Sequence, residues 1–450
     1  MSMVVFSLIL ANSLDDRQPN VKNMNKKFFS FLTALLLACG IHAADKVTVK
    51  VTNPIAIDRV GETVELNVDQ LSKKLDGATQ FVVRDADGKE VPSQKTYDGK
   101  LIFQANVGGK LSSLYTVSAG TPQTYEPRVF GRAIPERKDD FAWENDRTCY
   151  RTYGPALQQS GERAFGYDVF NKRTSRMVIN ERFALEFDPT IGSICDKLRA
   201  QGRGDLAQDV YYELMCYHVD HGTGQDCYKV GPTLGCGTNA LLENGGTDIV
   251  YPYCYKTVEI LDNGPLRFTF RLTYNPEHVD GVEVVETRII SLDAGSHLNK
   301  ATVSFSGLSK ANPIATGIVV HEENPMAFVI NESAGYMGYE DLGDSKQFQE
   351  KYRPLYNKTF GRIYVGAVYP EKMSAIKYQQ FTEEDKPNRG NGALGHLLGV
   401  TTLKPGGSYT YYFGSGWSNN PETSFQTLAD WEKYLSDYAQ KVKKPLVLKY

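Results

Sequence analysis

The stretch Glu62-Thr63-Val64-Glu65-Leu66-Asn67-Val68 alternates polar and apolar side chains, which is the two-residue period of a strand with one buried face. Val47-Thr48-Val49-Lys50-Val51 repeats this alternation. Three more β-rich segments follow, one of them leading into the turn sequence Asp85-Ala86-Asp87-Gly88. Five strands in so short a stretch predict a small β-sandwich domain over residues 45–122.

A larger unit over residues 128–445 is again predicted to consist mostly of strands. The β-rich segments are 267–274, 282–292, 299–306, 314–320, 361–369, 396–403 and 408–413. They do not alternate with helices, which argues against a Rossmann or TIM-barrel architecture. One helix closes the chain behind Pro421, because apolar residues recur there at helical spacing: Phe425, Leu428, Trp431, Leu435, Tyr438 and Val442. The expected class is all-β, with this helix laid against a sheet.

Residues 24–44 have the features of a secretory signal. Lys26 and Lys27 precede an apolar stretch that is too short to span a bilayer comfortably. We therefore expect Met24 to be the start and the protein to be exported, with the periplasm as its destination. The alternative is a lipobox ending at Cys39, which would make the protein an outer-membrane lipoprotein. No other segment is apolar enough to be a transmembrane helix.

Composition excludes some partners and favours others. The 450 residues carry 50 Lys and Arg against 53 Asp and Glu, so no charge excess indicates nucleic acid or an anionic membrane as a partner. The 27 Tyr, 21 Phe and 40 Gly favour a β-rich protein with an aromatic-lined surface, which suits sugar rings. The six cysteines after the signal form no CxxC pair, so we expect buried thiols, with one bridge at most, and no structural zinc. Oligomeric state is not encoded in any pattern of the sequence.

The segment 135–147 combines eight charged residues with Phe141 and Trp143. An aromatic platform flanked by carboxylates and guanidinium groups is what stacking on a pyranose and hydrogen bonding to its hydroxyls require. The predicted substrate-binding residues here are Arg137, Asp139, Trp143, Glu144 and Asp146. The alternative is an ion-paired corner without a ligand.

The segment 211–231 concentrates titratable groups beside glycines. His218, Asp220 and His221 precede Gly222 and Gly224, and Tyr228 and Lys229 follow. A histidine can act as an acid or base near neutral pH, and a tyrosine can protonate a departing oxygen. His218 and His221 could instead chelate a metal, but the sequence offers no third ligand. No cofactor is otherwise expected.

A third, scattered set consists of His321-Glu322-Glu323, at the end of an apolar run, and His396. A His–Glu pair at a strand end is a common position for a site, and a surface pair is the alternative. Arg151 and Tyr153 are candidates for further polar contacts. The sequence contains no nucleophile elbow, P-loop, GxGxxG or HExxH motif.

Several of these motifs together resemble one exported bacterial family, which is known only as a domain of unknown function and is often encoded among polysaccharide-degrading enzymes. The matching segments are 135–147, Tyr153-Gly154-Pro155-Ala156-Leu157, Asp220-His221-Gly222, 228–235 and 411–417. The resemblance covers residues 45–440 and implies a galactose-mutarotase-like β-supersandwich with a small N-terminal β-sandwich domain. More loosely, the chain resembles the oligosaccharide dehydratases of ulvan breakdown, which eliminate water from a terminal uronic acid.

Elimination at a uronic acid needs three groups. A cation neutralises the carboxylate, a base removes the C5 proton and an acid protonates the oxygen leaving C4. The candidates are Arg147, with Arg137 or Lys229, as the cation, His221 or His321 as the base, and Tyr228 as the acid. The expected partner is an anionic oligosaccharide. The alternatives are a glycoside hydrolase or epimerase with paired carboxylates, and a non-catalytic carbohydrate-binding protein.

Overall fold

The computed structural model describes residues 45–342, 360–390, 392–423 and 425–450. Strands make up 44% of the chain and helices 17%, which confirms the all-β class. The predicted signal at residues 24–44 and the lipobox at Cys39 lie outside the described residues. Within the described ranges, no helix combines the length and the apolar character that crossing a bilayer requires.

The N-terminal residues form two antiparallel sheets with a hydrophobic core of their own. Along the first strand, Val47, Val49 and Val51 are buried and the residues between them are exposed, as the sequence alternation predicts. The elements are β1 (Lys46–Thr52), β2 (Arg59–Asn67), α1 (Val68–Lys74), β3 (Phe81–Arg84), β4 (Ser93–Lys95), β5 (Lys100–Val107) and β6 (Ser112–Ala119). Contacts join residues 45–450 into one compact unit, and the domain limits 45–122 and 128–445 stay a prediction.

The next part of the chain contains a small sheet and a group of helices that the sequence analysis did not predict. Its elements are β7 (Val129–Ile134), a 3-10 turn (Pro135–Arg137), β8 (Asp140–Asn145), β9 (Cys149–Thr152), α2 (Pro155–Gln159), β10 (Asp168–Val169), α3 (Ile179–Glu186), α4 (Pro189–Ala200), α5 (Gly204–Leu214), β11 (Cys236–Glu243) and β12 (Asp248–Ile249). A start signal for α4 was present, because Asp188 caps the backbone N–H groups of Thr190 and Ile191 and Pro189 holds the first helical position.

The remaining chain returns to long antiparallel strands. They are β13 (Tyr255–Asn263), β14 (Arg267–Tyr274), β15 (Glu277–Val279), β16 (Val282–Asp293), β17 (Leu298–Ser306), β18 (Asn312–His321), β19 (Phe328–Asn331), β20 (Tyr336–Asp341), β21 (Ile363–Val368), β22 (Ala375–Gln380), α6 (Lys386–Arg389), β23 (Ala393–Leu403), β24 (Ser408–Trp417), α7 (Leu428–Lys443) and β25 (Val447–Lys449). Every strand predicted in this region is confirmed within a few residues.

Two large sheets enclose the main core. One has the strand order β12-β11-β18-β23-β22, and the other runs β13-β14-β16-β17-β24-β21-β20-β19, with β15 paired to β16. Ile318 and Leu397 of the first sheet share one buried cluster with Phe270 and Phe413 of the second. Sheet packed on sheet over a shared apolar core is the sandwich architecture.

The closing helix α7 lies against the second large sheet, as predicted. Trp431 and Leu435 are fully buried on it. The sheet provides room through Gly338 and Gly366, where an added Cβ would come within 2.8 Å of the Leu435 side chain. The helix begins with a capping box between Thr427 and Asp430.

The six cysteines of the described chain are all buried free thiols. This agrees with the expectation of buried thiols, and none of the six pairs with another.

Candidate functional site

A cavity of about 250 Å³ opens between the small sheet and the segment that joins α5 to β11. Its lining combines guanidinium, ammonium, carboxylate, phenol and imidazole groups: Arg137, Arg151, Tyr153, Glu162, Arg163, Ala164, Tyr217, His218, Asp226, Cys227, Tyr228, Lys229, Val230 and Gly231. A concave site with convergent polar groups is the expected form of a ligand-binding site.

The segment that carries half of this lining is held by one aspartate rather than by regular structure. The Oδ1 atom of Asp220 accepts hydrogen bonds from the N–H groups of Gly222 at 2.8 Å and Gly224 at 3.0 Å. Gly224 has a φ of +105°, and a Cβ there would lie 2.1 Å from the carbonyl oxygen of Asn171. Only glycine fits this position, because the loop backbone passes so close to that of Asn171.

Arg151 lies at the centre of the buried polar groups behind the cavity. It pairs across the strands with Asp168, and its Nη2 donates to Asp168 Oδ2 at 2.6 Å. The same Nη2 donates to Asp226 Oδ2 at 2.9 Å, and Nε lies 3.7 Å from Asp140 Oδ2. Tyr153 completes the group, because its hydroxyl donates to Asp168 Oδ2 at 2.9 Å. One guanidinium therefore faces three carboxyl groups.

Burial shifts the pKa values of these carboxyl groups. Burial raises the pKa of Asp140 to about 7, against the opposing attraction of Arg151. Burial, and then repulsion by Asp226, raises the pKa of Asp168, and burial raises the pKa of Asp226 as well. Such raised values equip a carboxyl group to hold a transferable proton near neutral pH.

A second polar group adjoins the cavity at Tyr228. The rings of Tyr228 and His321 pack edge to face, with centroids 6.2 Å apart. The Nδ1–H of His321 donates to Asp341 Oδ2 at 3.0 Å, which leaves the lone pair on Nε2. Among the described residues, neither the Tyr228 hydroxyl nor His321 Nε2 has a hydrogen-bond partner, although both are buried. Buried polar atoms of this kind are uncommon and call for an explanation, such as a ligand.

Basic side chains predominate around the opening. Arg137, Arg163 and Lys229 line the cavity together with Arg151, whereas Glu162 and Asp226 are the acidic lining residues. The Nζ atom of Lys229 donates to Glu323 Oε2 at 3.0 Å, which fixes the ammonium group at the cavity wall.

The structure brings together some of the predicted site residues. Arg137, His218, Tyr228 and Lys229 line one cavity, and His321 packs against Tyr228. His221 lies elsewhere: its Nε2–H donates to the Cys216 carbonyl at 3.1 Å, and it lines a separate cavity of about 40 Å³. Of the two histidines considered as the base that acts with Tyr228, His321 is therefore the one near Tyr228, and the expectation for His221 needs correction.

The expected sugar platform in residues 135–147 is also corrected, because β8 is buried along its whole length. Trp143 is fully buried, and its Nε1–H donates to Asn299 Oδ1 at 2.8 Å. Glu144 is equally buried and binds Lys172 Nζ at 2.7 Å. Both side chains support the fold and neither faces a ligand.

Three further residues of this stretch lie outside the cavity lining. Asp146 accepts hydrogen bonds from Arg128, which makes it part of the ion-paired corner that the sequence analysis kept as its alternative. Arg147 pairs with Glu422 at 3.2 Å, away from the cavity. Asp139 is exposed, and its carbonyl accepts a hydrogen bond from the Tyr255 hydroxyl.

The remaining predicted residues have structural partners. Asp220 stabilises its loop and pairs with Arg173 at 2.7 Å. His396 is buried, accepts a hydrogen bond from the Leu234 N–H at 3.1 Å, and has its pKa lowered to about 3 by burial. The proposed chelating pair is not arranged as a chelate, because His218 Nδ1–H donates to the Asp226 carbonyl at 2.8 Å and His221 donates to another carbonyl. Across the described ranges, no cluster of three or more metal-ligating side chains occurs.

Sequence reasoning missed Asp168 and Asp341. Each lies at a strand position with no motif around it, and each becomes informative only through its partner in space. Asp226 was noted as an acid beside the histidines, and Asp140 was a candidate carboxylate of the hydrolase alternative, but neither was expected to share a buried group with Arg151. A signal was available for Asp168, since it is the only charged residue in the otherwise apolar and aromatic segment 164–170.

A larger cavity of about 470 Å³ lies between β2, the second large sheet and α7. The charged groups there neutralise one another, since Arg267 binds Asp293 at 2.6 Å and Glu65 at 2.7 Å. The cavity of about 250 Å³ is lined by Tyr228, whose hydroxyl has no partner among the described residues, so the chemistry points there.

Comparison with known proteins identifies the family. Residues 51–448 match the family described as "Domain of unknown function (DUF4861)", and the chain belongs to this family. Uncharacterized protein P7 of Formosa agariphila is 25% identical over 454 residues, covering 95% of this chain and 99% of that protein. The expected membership of a family without known function is confirmed. The link to polysaccharide-degradation loci and ulvan dehydratases stays a prediction.

Two solved structures align more distantly. An alpha-mannosidase from Enterococcus faecalis V583 and a protein in the glycosyl hydrolase family 38 from Enterococcus faecalis are 9% and 8% identical, with TM-scores of 0.44 and 0.43. They cover 94% of this chain, which spans about half of each of them, 48% and 50%. At this distance they carry no argument about its activity.

Proposed function

We propose that this member of the family is an exported carbohydrate-active enzyme that eliminates water, or a sugar, from an oligosaccharide ending in a uronic acid. The product is an unsaturated uronyl sugar. The observation that carries the proposal is a cavity lined by Arg, Lys and Tyr228, a tyrosine beside His321 whose hydroxyl has no partner among the described residues.

The basic side chains account for the first requirement of the reaction. The C5 proton becomes acidic only when the adjacent carboxylate is neutralised, and guanidinium groups do this through paired hydrogen bonds. Arg137, Arg163 and Lys229 line the cavity and Arg147 does not, so these residues take the role first considered for Arg147.

The Asp341–His321–Tyr228 group supplies the proton transfers. With Nδ1–H bound to Asp341, His321 offers Nε2 as the base that removes the C5 proton. The electron pair of that C–H bond forms the C4–C5 double bond, and the C4–O bond breaks. Tyr228 gives its proton to the leaving oxygen, and the proton on His321 then returns to the tyrosinate.

A second candidate, a glycoside hydrolase, is favoured by a different observation. Asp168 and Asp226 contact the same nitrogen of Arg151, so the two carboxyl groups are close neighbours, and both have raised pKa values. Retaining glycosidases use two carboxyl groups about 5–5.5 Å apart. Both aspartates are held by the guanidinium of Arg151, whereas the Tyr228 hydroxyl has no partner among the described residues, which is why elimination is the preferred proposal.

Incubation of the purified protein with a panel of uronic-acid-terminated oligosaccharides tests the proposal. Elimination gives a product that absorbs in the ultraviolet through its conjugated double bond, and dehydration lowers the mass by one water. Cleavage that adds one water without new absorbance would replace elimination with the hydrolase. No product from any substrate, with binding retained, would favour the carbohydrate-binding alternative.

A further inference from the structure

We infer that the rings of Phe165, Tyr251 and Tyr253 form a subsite for the sugar units that follow the terminal uronic acid. We call these three residues the aromatic shelf. The inference rests on the proposed function, since it takes the neighbouring cavity as the site of the uronic acid. It adds that the substrate is an oligosaccharide recognised over several units rather than a free uronic acid.

The aromatic shelf is a built cluster with an accessible face. The ring of Phe165 lies 5.8 Å from that of Tyr251 and 6.4 Å from that of Tyr253, measured between centroids. The Tyr253 side chain is 45% exposed, an unusual fraction for so large a ring in this protein, and the other two are half-buried. The guanidinium of Arg389 lies 3.9 Å over the Tyr251 ring and so fixes its orientation.

Two chain connections place the aromatic shelf beside the cavity. Ala164 lines the cavity, and Phe165 is its neighbour in the chain, with Cα atoms about 3.8 Å apart. Gly231 also lines the cavity, and the carbonyl of the next residue, Pro232, accepts a hydrogen bond from Arg389 at 3.2 Å. We take the aromatic shelf to be the surface that a ligand reaches when it extends out of the cavity along either segment.

The cavity and the aromatic shelf differ in charge. A substrate with a charged terminal sugar and neutral sugars behind it requires such a difference. The cavity lining has four basic side chains against two acidic ones, Glu162 and Asp226. On the shelf side, Arg389 is paired with Asp385 at 3.3 Å, so the shelf offers aromatic faces and little net charge. Aromatic rings present a flat apolar face with a polar rim, which fits the C–H face of a pyranose. The expected ligand is therefore an oligosaccharide with a uronic acid at its end and neutral sugars behind it.

Calorimetric titration tests whether the aromatic shelf binds the sugar units behind the uronic acid. The three probes are glucuronic acid, a tetrasaccharide ending in glucuronic acid, and a neutral tetrasaccharide. The full chain carries Tyr228→Phe in all cases, so that the probe is not consumed. Tyr253→Ala is compared with Tyr97→Ala, a control in which the tyrosine is 46% exposed at a distant site. We expect Tyr253→Ala to weaken binding of the acidic tetrasaccharide about tenfold. Binding of glucuronic acid should stay unchanged, and Tyr97→Ala should change neither.

The outcomes separate this inference from the proposed function. Equal loss for glucuronic acid and the tetrasaccharide, or no loss for either, would overturn the subsite. The subsite would also be overturned if the acidic tetrasaccharide bound no more tightly than glucuronic acid. If only the neutral tetrasaccharide binds, and its binding depends on Tyr253, the aromatic shelf stands and the uronic-acid function falls.

Discussion

Replacing Tyr228 by Phe removes one hydroxyl group and nothing else. Because that hydroxyl is buried and has no hydrogen-bond partner among the described residues, its loss should change the free energy of unfolding by less than about 1 kcal/mol. As the proposed acid, however, the hydroxyl contributes to the transition state, and general-acid catalysis is typically worth about 10²–10⁴-fold in rate. We therefore expect kcat to fall about 10²-fold or more in a protein of unchanged stability.

Urea unfolding and the ultraviolet absorbance of the unsaturated product measure the two effects separately. Tyr153→Phe is the matched control, since its hydroxyl donates to the buried Asp168 at 2.9 Å. That variant should lose about 1–3 kcal/mol of stability, because a buried carboxyl group loses a donor. Full activity in Tyr228→Phe would refute the acid assignment, and a stability loss equal to that of Tyr153→Phe would show that the hydroxyl has a structural role instead.

Three further predictions follow from the ion pairs and carboxyl groups. Glu144→Ala should lower the free energy of unfolding in urea by about 3–5 kcal/mol, because it leaves a buried lysine unpaired, and a stable but inactive variant would contradict this. Arg137→Gln should raise KM for uronic-acid substrates about tenfold or more, because it removes a charged donor from the cavity lining. Arg147 lies outside the cavity lining, so Arg147→Gln should leave KM unchanged. The reverse result would restore Arg147 to the site. Asp140 has a pKa of about 7 in the folded protein against about 3.9 in the unfolded protein. Between these two values the folded state keeps a proton that unfolding releases. The contribution of Asp140 to the free energy of unfolding therefore falls as pH rises from 4 to 7. Asp140→Asn should flatten this part of the dependence of urea midpoint on pH, and an unchanged slope would count against the raised pKa.

The sequence by itself determined the class of fold, because strand and helix periods are local. Val47, Val49 and Val51 alternate with exposed neighbours, and Trp431 and Leu435 recur at helical spacing, so each pattern could be read without knowing its partners. The sequence also marked the loop that carries Tyr228, because glycines and titratable groups cluster there along the chain. The helices of residues 179–214 were not predicted because they bury few side chains, so no apolar stripe at helical spacing marks them in the sequence.

Only the tertiary structure decided which of the charged and aromatic residues share a site. Trp143 and Glu144 look like ligand-binding residues in the chain, but β8 is an inner strand of its sheet, covered on both faces, so both are buried. His321 and Asp341 end β18 and β20, which belong to different sheets, and Tyr228 joins them from a loop almost a hundred residues earlier. When sheets pack face to face, residues that are far apart in the sequence can come into contact. The partners that determine a pKa or leave a hydroxyl unpaired are therefore fixed by packing alone.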